Sequence, residues 1–275
     1  NKNVLLIGLG VDDPKGVFGT TSNIDKLFKK KRVFDFPTAE NAMTGIAIGA
    51  AISGMRPVIV HQRVEFSLLS VEQIINQASK WSYMSAGKMF LPIVIRLIIG
   101  RGWGQGPTHS QSLQAWFNHI PGLKVVMPTF ADDAKSLLLE SIFDPNPVIF
   151  LEHRWLHNSL GDFPKKLKKD ELGKCRILKK GKDISIISLS YMTLECYEAA
   201  KILKNYGIDA EIIDISTVSP LDSKTIIKSV KKTKRALVAD TSNSFCGISS
   251  TIDSIINQNI EKLKNKVEIV SLPFC

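Results

Sequence analysis

The sequence predicts an α/β protein of two three-layer domains, each with a parallel sheet between two layers of helices. Short apolar runs alternate with helical patterns along most of the chain, which is typical of parallel sheets covered on both faces. A lysine-rich, weakly periodic stretch at 161–182 interrupts this alternation and predicts a linker. A chain of 275 residues, 44% of them hydrophobic, is long enough to form two cores. We therefore expect domains at residues 1–160 and 183–275.

Six strands and four helices are predicted in the first half. The strands are short apolar runs rich in β-branched residues, and the helices show helical apolar spacing or consist of small residues. The predicted strands cover residues 4–7, 33–36, 58–60, 93–99, 124–127 and 148–151, and the predicted helices cover 23–30, 41–53, 71–83 and 131–142. Thr38, which follows Pro37, is the expected N-cap of the second helix.

Four strands and three helices are predicted in the second half, and they define a smaller α/β domain. The strands cover residues 184–189, 210–215, 236–239 and 267–270, and the helices cover 193–205, 222–232 and 247–258.

Composition argues against several classes of function. The formal net charge is +10, but the lysines fall in predicted loops and helix ends, with no interleaved aromatic residues and no nucleic-acid-binding motif. This pattern favours a solvated basic surface over nucleic-acid binding. The longest apolar stretch, residues 42–55, is too short to span a membrane. The four cysteines form no Cys-x-x-Cys pair and no zinc spacing, which predicts reduced thiols in a cytoplasmic protein.

A carboxylate and an imidazole occur at two predicted junctions between strand and helix. Glu40 directly precedes a helix of small residues, and His109 follows the glycine-rich loop 100–106. Because the strand ends of a parallel sheet share one edge, these two side chains can face one cleft and carry out acid–base chemistry. Two other interpretations remain open: Glu40 offsets the helix dipole, and the loop contains glycine only for its backbone angles.

Other catalytic signals are incomplete. The turn at Gly8 and Gly10 lacks the third glycine of a dinucleotide-binding motif, and the loop 100–106 lacks the lysine of a Walker loop. The five histidines have no metal-ligand spacing, so that each, apart from His109, is expected in a satisfied structural role. No Gly-x-Ser-x-Gly motif supports a serine nucleophile.

Several segments of the chain resemble one known family. They are residues 35–40, 49–57, 109–112 and 121–126 in the first half and 214–222 in the second. Over nearly its whole length the sequence resembles the β subunit of thiamine-diphosphate-dependent 2-oxo acid dehydrogenases of the pyruvate and branched-chain type, within the transketolase superfamily. The resemblance implies a pyrimidine-binding domain followed by a transketolase C-terminal-like domain.

The resemblance implies roles for individual residues. Glu40 matches the glutamate that hydrogen-bonds a ring nitrogen of the cofactor's aminopyrimidine, Phe66 matches the aromatic residue stacked on that ring, and His109 matches the active-site histidine. Thr38 falls among the cofactor-binding positions. Further residues match positions that hold a structural monovalent cation, K⁺ among the candidates: Ile93, Ser141, Ile142, Asp144 and Asn146.

The resemblance also implies partners. The sequence contains no Gly-Asp-Gly motif followed by an asparagine pair, which in this family holds the diphosphate of the cofactor and Mg²⁺. The chain is therefore expected to bind the pyrimidine half of thiamine diphosphate and to share its active site with an α subunit, in a heterotetramer of two α and two β subunits. A lipoyl acyltransferase core is a further implied partner.

Some positions depart from the family pattern. Leu9 stands where an acidic residue is usual, and Leu69 stands where a polar residue is common. Residues 61–65 replace an aromatic-rich strand end with a more charged one that includes Arg63. Two interpretations of Arg63 remain open: it pairs with an anionic or polyhydroxylated substrate, or it contacts another subunit.

The expected function is decarboxylation of a 2-oxo acid, with transfer of the acyl unit to a lipoyl group or another acceptor. Two alternatives remain open. One is a subunit of a split transketolase-like carboligase that acts on sugars or aldehydes, and the other is a non-catalytic assembly subunit.

Overall fold

Apolar, mostly β-branched strands form the interior of the first half of the chain. In the computed structural model, which describes residues 1–28, 31–161 and 171–273, these strands build one parallel sheet. They are β1 (Val4–Gly8), β2 (Val33–Asp35), β3 (Arg56–His61), β4 (Val94–Ile99), β5 (Lys124–Val126) and β6 (Val148–His153). Their order is β5-β6-β4-β3-β1-β2, and each neighbouring pair is parallel. This confirms the predicted α/β class.

The centre of this sheet is buried on both faces. All six residues of β4 are buried, as expected for a parallel strand covered on both sides. One of them is charged: Arg96 donates two hydrogen bonds of 2.8 Å to the carboxylate of Glu152 on the neighbouring strand β6. The buried charge is therefore paired, which a strand interior requires.

The helices of the first half differ from the predictions at two points. They are α1 (Ile24–Leu27), α2 (Glu40–Ile52), α3 (Trp81–Met84), α4 (Gln114–Asn118) and α5 (Ala131–Phe143). Helix α2 begins at Glu40, which makes Ala39 its N-cap residue, and no side chain caps it. The prediction that Thr38 caps this helix is therefore wrong, because a cap at Thr38 requires a helix that begins at residue 39, and α2 begins one residue later. Residues 29–30 of the first predicted helix lie outside the described residues.

The second point concerns the single helix predicted at 71–83, which is interrupted. The chain forms a 3₁₀ helix at Val64–Ser70, a π turn at Gln73–Gln77 and a further 3₁₀ turn at Ala78–Lys80 before α3. Gly122, with a φ of +97°, lies against the backbone of Ser79 and leaves no room for a Cβ atom. Close backbone packing thus overrides the regular helical pattern here.

The second half forms its own sheet. The chain divides into a first unit of residues 1–126 and 137–159 and a second unit that holds residues 127–136 and the described residues from 160 onwards. The strands of the second half are β7 (Arg176–Lys179), β8 (Ile184–Ser188), β9 (Ala210–Asp214), β10 (Thr217–Ser219), β11 (Ala236–Asn243) and β12 (Glu268–Leu272). Five of them form a sheet of order β12-β11-β8-β9-β7, in which only the pair β7–β9 is antiparallel. The helices are α6 (Tyr191–Asn205), α7 (Ser223–Thr233) and α8 (Ile248–Asn259).

Strand β7 lies inside the stretch predicted as a linker at 161–182. Residues 162–170 of that stretch lie outside the described residues. At Arg176–Lys179 the linker prediction is wrong, because these residues pair with β9 at the sheet edge and Leu178 packs against the core of the second unit. An edge strand needs apolar contact on one face only, so this short strand, set among flanking lysines, gave a weak strand signal.

The carboxyl ends of the parallel strands lie along one edge of the first unit's sheet. The loops beyond this edge carry Phe18, Glu40, Arg63, Trp103 and Arg154. This is the edge at which parallel α/β sheets bind ligands. Within the described ranges, no helix has the length and apolar character that crossing a bilayer requires.

Candidate active site

Glu40 is a buried carboxylate beside a cavity. It is the first residue of α2 and is 7% exposed. Its carboxylate makes no hydrogen bond or ion pair with any described residue, although the positive end of the helix dipole stabilises its charge. The open cavity that it lines has a volume of about 650 Å³, and Ile46, Leu69 and Gln73 line its other walls. A buried, unpaired carboxylate on a cavity wall is available to a ligand.

Asp35, the last residue of β2, fixes the approach to Glu40. Its carboxylate accepts hydrogen bonds from the backbone N–H groups of three consecutive residues, Gly10, Val11 and Asp12, at 2.9, 2.6 and 3.4 Å. One carboxylate therefore ties the loop after β1 to the segment that leads into α2.

Phe66 and His109 lie against each other. Their ring centroids are 5.5 Å apart with an interplanar angle of 80°, an edge-to-face contact. The 3₁₀ segment that carries Phe66 packs against α2 on one side and against the turn Pro107–His109 on the other. The segment that carries Phe66 therefore contacts both the helix of Glu40 and the turn of His109.

The loop of His109 is held by a second carboxylate. The backbone N–H of Gln111 donates to Oε1 of Glu65 at 2.6 Å, and the residue next to Glu65 is Phe66. The imidazole Nδ1 of His109 lies 2.6 Å from the carbonyl oxygen of Thr108. A donor at Nδ1 leaves Nε2 as the acceptor, which is the tautomer that takes up a proton at that atom.

Thr38 lies outside this arrangement. It is exposed, two residues before Glu40, and is not among the residues that line the cavity. Its role in cofactor binding stays a prediction.

Three of the residues predicted to hold a monovalent cation, Ile142, Asp144 and Asn146, lie at one corner of the first unit. The carbonyl oxygens of Ile142 and Asp144 accept hydrogen bonds from Nη1 of Arg56, at 2.8 and 3.3 Å, and the Asp144 carboxylate pairs with Lys124. The backbone N–H of Asn146 donates to Oδ1 of Asp144 at 2.8 Å. Two protein cations therefore already occupy this corner. Each carbonyl oxygen keeps a second lone pair, so a bound cation stays a prediction.

The other two members of that set make ordinary structural bonds. The hydroxyl of Ser141 donates to the carbonyl of Leu137 at 2.6 Å within α5, and the carbonyl of Ile93 accepts from the N–H of Val148 at 2.9 Å.

Sequence reasoning missed part of the ligand edge. Phe18, Arg154 and Trp103 lie around Arg63, where each guanidinium faces aromatic rings. These residues come from four loops far apart in the chain, so no short motif marks the cluster.

Two buried histidines at the same edge are neutral. Burial lowers the pKa of His61 to about 4, and burial together with the charges of His157 and Arg101 lowers that of His153 to about 4. Neither ring nitrogen of His61 has a hydrogen-bond partner among the described residues. The expectation of a satisfied structural role is therefore wrong for His61, because its ring is packed as an apolar group.

The second unit contains a buried carboxyl group of a different kind. Asp214, the last residue of β9, accepts hydrogen bonds from the hydroxyls of Thr129, Thr193 and Ser216, at 2.8, 2.7 and 3.1 Å. Burial raises its pKa to about 7, against the opposing effect of the hydroxyl donors.

Comparison with known proteins identifies related sequences for both halves. The family model "Transketolase, pyrimidine binding domain" matches residues 1–158, and "Transketolase, C-terminal domain" matches residues 173–275. The pyruvate dehydrogenase E1 component subunit beta of Rickettsia conorii is 38% identical over 98% of this chain and 82% of its own length. The acetoin:2,6-dichlorophenolindophenol oxidoreductase subunit beta of Cupriavidus necator is 40% identical over 97% of this chain and 80% of its own length.

A solved structure has the same fold. The inactive β4 tetramer of a split-gene transketolase superposes with a TM-score of 0.82, covering 100% of this chain and 84% of that chain, at 23% identity. At this identity the likeness concerns the fold alone.

Proposed function

The chain belongs to the family of β subunits of thiamine-diphosphate-dependent 2-oxo acid dehydrogenases, and we propose that it supplies the pyrimidine-binding half of an active site completed by an α subunit. The observation that carries this proposal is Glu40, a buried carboxylate that lines a cavity and has no partner among the described residues. A buried carboxylate without an internal partner is costly unless a ligand group meets it.

The residues fit the aminopyrimidine end of the cofactor. A carboxyl group at Glu40 can share a proton with a nitrogen of the aminopyrimidine ring. Phe66 lies on a segment that contacts α2, the helix that begins at Glu40, and its aromatic ring suits packing against another ring. When bound, thiamine diphosphate supplies the carbon nucleophile that attacks a 2-oxo group.

The side chains of this chain then have separate tasks in the proposal. Glu40 holds a proton at its carboxylate, Phe66 packs against the pyrimidine ring, and His109 gives or takes a proton at Nε2 near the reacting group. The loop 100–106 and its tryptophan exclude water from this edge. Thr38 contacts the cofactor in the same proposal.

The diphosphate and Mg²⁺ are held by the partner in this proposal. The 275 residues contain no Gly-Asp-Gly motif, and the relatives are named as subunits beta. We propose a heterotetramer of two α and two β subunits in the cytoplasm, a monovalent cation at the Asp144 corner, and a lipoyl acyltransferase as the acceptor protein.

Calorimetric titration of thiamine diphosphate, with Mg²⁺ present, tests the shared site. We expect no binding to this chain alone and binding after co-expression with an α subunit. Glu40→Gln in the assembled pair is expected to weaken binding and abolish donor consumption. Glu198→Gln, which removes an exposed carboxylate in the second unit, is the matched control and is expected to change neither.

The acceptor is tested separately. Acylation of a lipoyl domain supports the dehydrogenase, and ligation of an aldehyde without it supports the split carboligase. A well-assembled pair that binds no thiamine diphosphate contradicts the catalytic proposal and leaves an assembly subunit.

A further inference from the structure

Two arginines share two aromatic rings at the ligand edge of the first unit. The Cζ atom of Arg63 lies 5.7 Å from the ring centroids of both Phe18 and Trp103. The Cζ atom of Arg154 lies 4.3 Å from the Phe18 ring and 5.8 Å from the Trp103 ring. We call these four residues the arginine cluster. Its members follow β1, β3, β4 and β6, so that four strands position it.

Neither guanidinium has a carboxylate partner within hydrogen-bond distance among the described residues. Arg63 is 4% exposed, and its one hydrogen bond goes to the carbonyl oxygen of Gly100 at 3.4 Å. Arg154 makes no side-chain hydrogen bond or ion pair in the described part of the chain. Each guanidinium has five N–H donors, so most of this donor capacity is unused.

The surroundings of Arg63 balance its charge only in part, since the carboxylate of Glu65 and a second guanidinium, that of Arg154, both lie near it. Burial lowers its pKa, the nearby Glu65 carboxylate opposes this effect, and the positive charge of Arg154 adds to it. Oε1 of Glu65 already accepts the N–H of Gln111. Contact with an aromatic face offsets only part of what a buried unpaired charge costs.

The cluster is open to ligands. Phe18 is 38% exposed and Trp103 is 37% exposed. Phe18 also lines a second cavity, of about 370 Å³, together with Asp13, Lys15 and Gln62. Lys15 and Asp13 contribute one positive and one negative formal charge to the wall of this cavity.

We propose that Arg63 and Arg154 bind an anionic group of the substrate, a carboxylate or a phosphate. The inference rests on the proposed function and names its substrate class: a 2-oxo acid or ketose with a second anionic group remote from the reacting carbonyl. The planar fork of arginine suits both anions, because it donates two parallel hydrogen bonds to them.

The cluster is connected to the candidate active site. Arg63 lies three residues before Phe66, and Glu65 between them holds the backbone beside His109. The loop that carries Trp103 is the same glycine-rich loop that leads to His109. An anion at the arginine cluster therefore fixes one end of a substrate whose other end reaches the Phe66–His109 pair.

Kinetics with matched substrate pairs test this inference on the enzyme assembled with its α subunit. One pair is 2-oxoglutarate and 2-oxopentanoate, and the other is xylulose 5-phosphate and xylulose. In one of the two pairs, we expect kcat/KM to be at least about tenfold higher for the member with the second anionic group than for the member without it. A preference for 2-oxoglutarate indicates a carboxylate site, and a preference for xylulose 5-phosphate indicates a phosphate site. Arg154→Gln and Arg63→Lys are each expected to lower this preference about tenfold or more.

A binding measurement gives a readout independent of turnover. Titration of the assembled enzyme with inorganic phosphate and with malonate is expected to show saturable binding that weakens about tenfold in Arg154→Gln. Arg32→Gln is the matched control, because Arg32 also lies over a ring, at 4.9 Å from the Phe28 centroid, and belongs to the same unit. It is expected to leave anion binding unchanged.

The outcomes separate this inference from the proposed function. Turnover with equal kcat/KM for both members of both pairs overturns the anion site and leaves the function intact. Arginine variants that fold but no longer bind the α subunit also overturn it, since the cluster is then a subunit contact. Anion binding that depends on Arg154 in an enzyme without turnover supports the site and contradicts the function.

Discussion

Each of the two units buries a carboxyl group near the carboxyl end of a strand, but the two groups differ in their partners. Asp214 in the second unit accepts hydrogen bonds from three hydroxyl groups. Glu40 in the first unit has no partner among the described residues and lines a cavity. Burial alone therefore does not mark a functional carboxylate. Burial beside a cavity without an internal partner is the feature on which our proposal for Glu40 rests.

The largest expected effect in this comparison is on activity, from Glu40→Gln. We expect kcat of the assembled enzyme to fall at least about 100-fold, because the carboxyl proton is lost from the site. The midpoint of urea unfolding is expected to change only slightly, since no internal hydrogen bond is removed and the lost interaction with the helix dipole is opposed by the relief of a buried charge. Normal activity in the variant would show that Glu40 is only a helix N-terminal charge.

Asp214→Ala is expected to do the opposite of Glu40→Gln: it lowers stability and leaves activity unchanged. It leaves three buried hydroxyls without their acceptor, which costs about 3 kcal/mol in the free energy of unfolding. Activity per folded molecule is expected to stay the same. Urea denaturation measures the loss, and Asp214→Asn, whose amide oxygen still accepts from the hydroxyls, is expected to lose clearly less. Equal stability of the alanine variant and wild type would remove the contrast between the units.

The histidines of the first unit predict a loss of stability in acid. His61 has a pKa of about 4 in the folded chain, against an ordinary value of 6.5. As the pH falls below 6.5 the unfolded chain takes up this proton first, so stability is lost between about pH 6.5 and pH 4. His61→Phe is expected to reduce this loss by about 2–3 kcal/mol, measured as the unfolding free energy at pH 6.5 and pH 4.5.

Asp214 in the second unit predicts the reverse dependence. Its folded pKa of about 7 exceeds the ordinary value of 3.8. Its contribution to stability is therefore greatest below about pH 4 and is lost as the pH rises through 7. Asp214→Asn is expected to flatten the decline in unfolding free energy between pH 5 and pH 7.5. An unchanged slope would mean that Asp214 titrates normally in the folded chain.

The smallest expected effect compares two helix starts. In the second unit the Asp222 carboxylate accepts the N–H of Thr225 at 3.1 Å and caps α7, so Asp222→Ala is expected to cost about 1 kcal/mol. Thr38 makes no such bond before α2, and Thr38→Ala is expected to change stability by less than about 0.5 kcal/mol. Thermal unfolding measures both. A loss of cofactor affinity in Thr38→Ala at unchanged stability would support its predicted contact.

The sequence predicts the sheet of the first unit well because its strands are continuous apolar runs. A strand that is buried on both faces is apolar along nearly its whole length, so it is easily recognised in the sequence. Strand β4, with six buried residues, is an example. The edge strand β7 was missed because it is short, none of its four residues is fully buried, and the lysines around it resemble those of a linker. The broken helix near Ser79 was missed because the cause, contact with Gly122, lies 43 positions along the chain.

The candidate site likewise contains some residues that the sequence predicts and others that it does not. Glu40, Phe66 and His109 were predicted because they lie in segments that resemble a known family, and in the structure the segment of Phe66 contacts the elements that carry the other two. The arginine cluster was found only in part, through Arg63. Its other members carry no local signal, since an arginine over an aromatic ring is a tertiary contact that sequence spacing does not reveal.

The carboxylate of Asp35 has a consequence for how this protein evolves. It holds the backbone of the loop after β1, which carries Phe18, and it ends the strand that leads to Glu40. If both proposed sites operate, recognition of the substrate anion and recognition of the cofactor depend on one shared anchor. Variation in substrate preference is free to accumulate at Phe18 and the arginines. A change at Asp35 is pleiotropic, because it disturbs both recognition tasks in a single step.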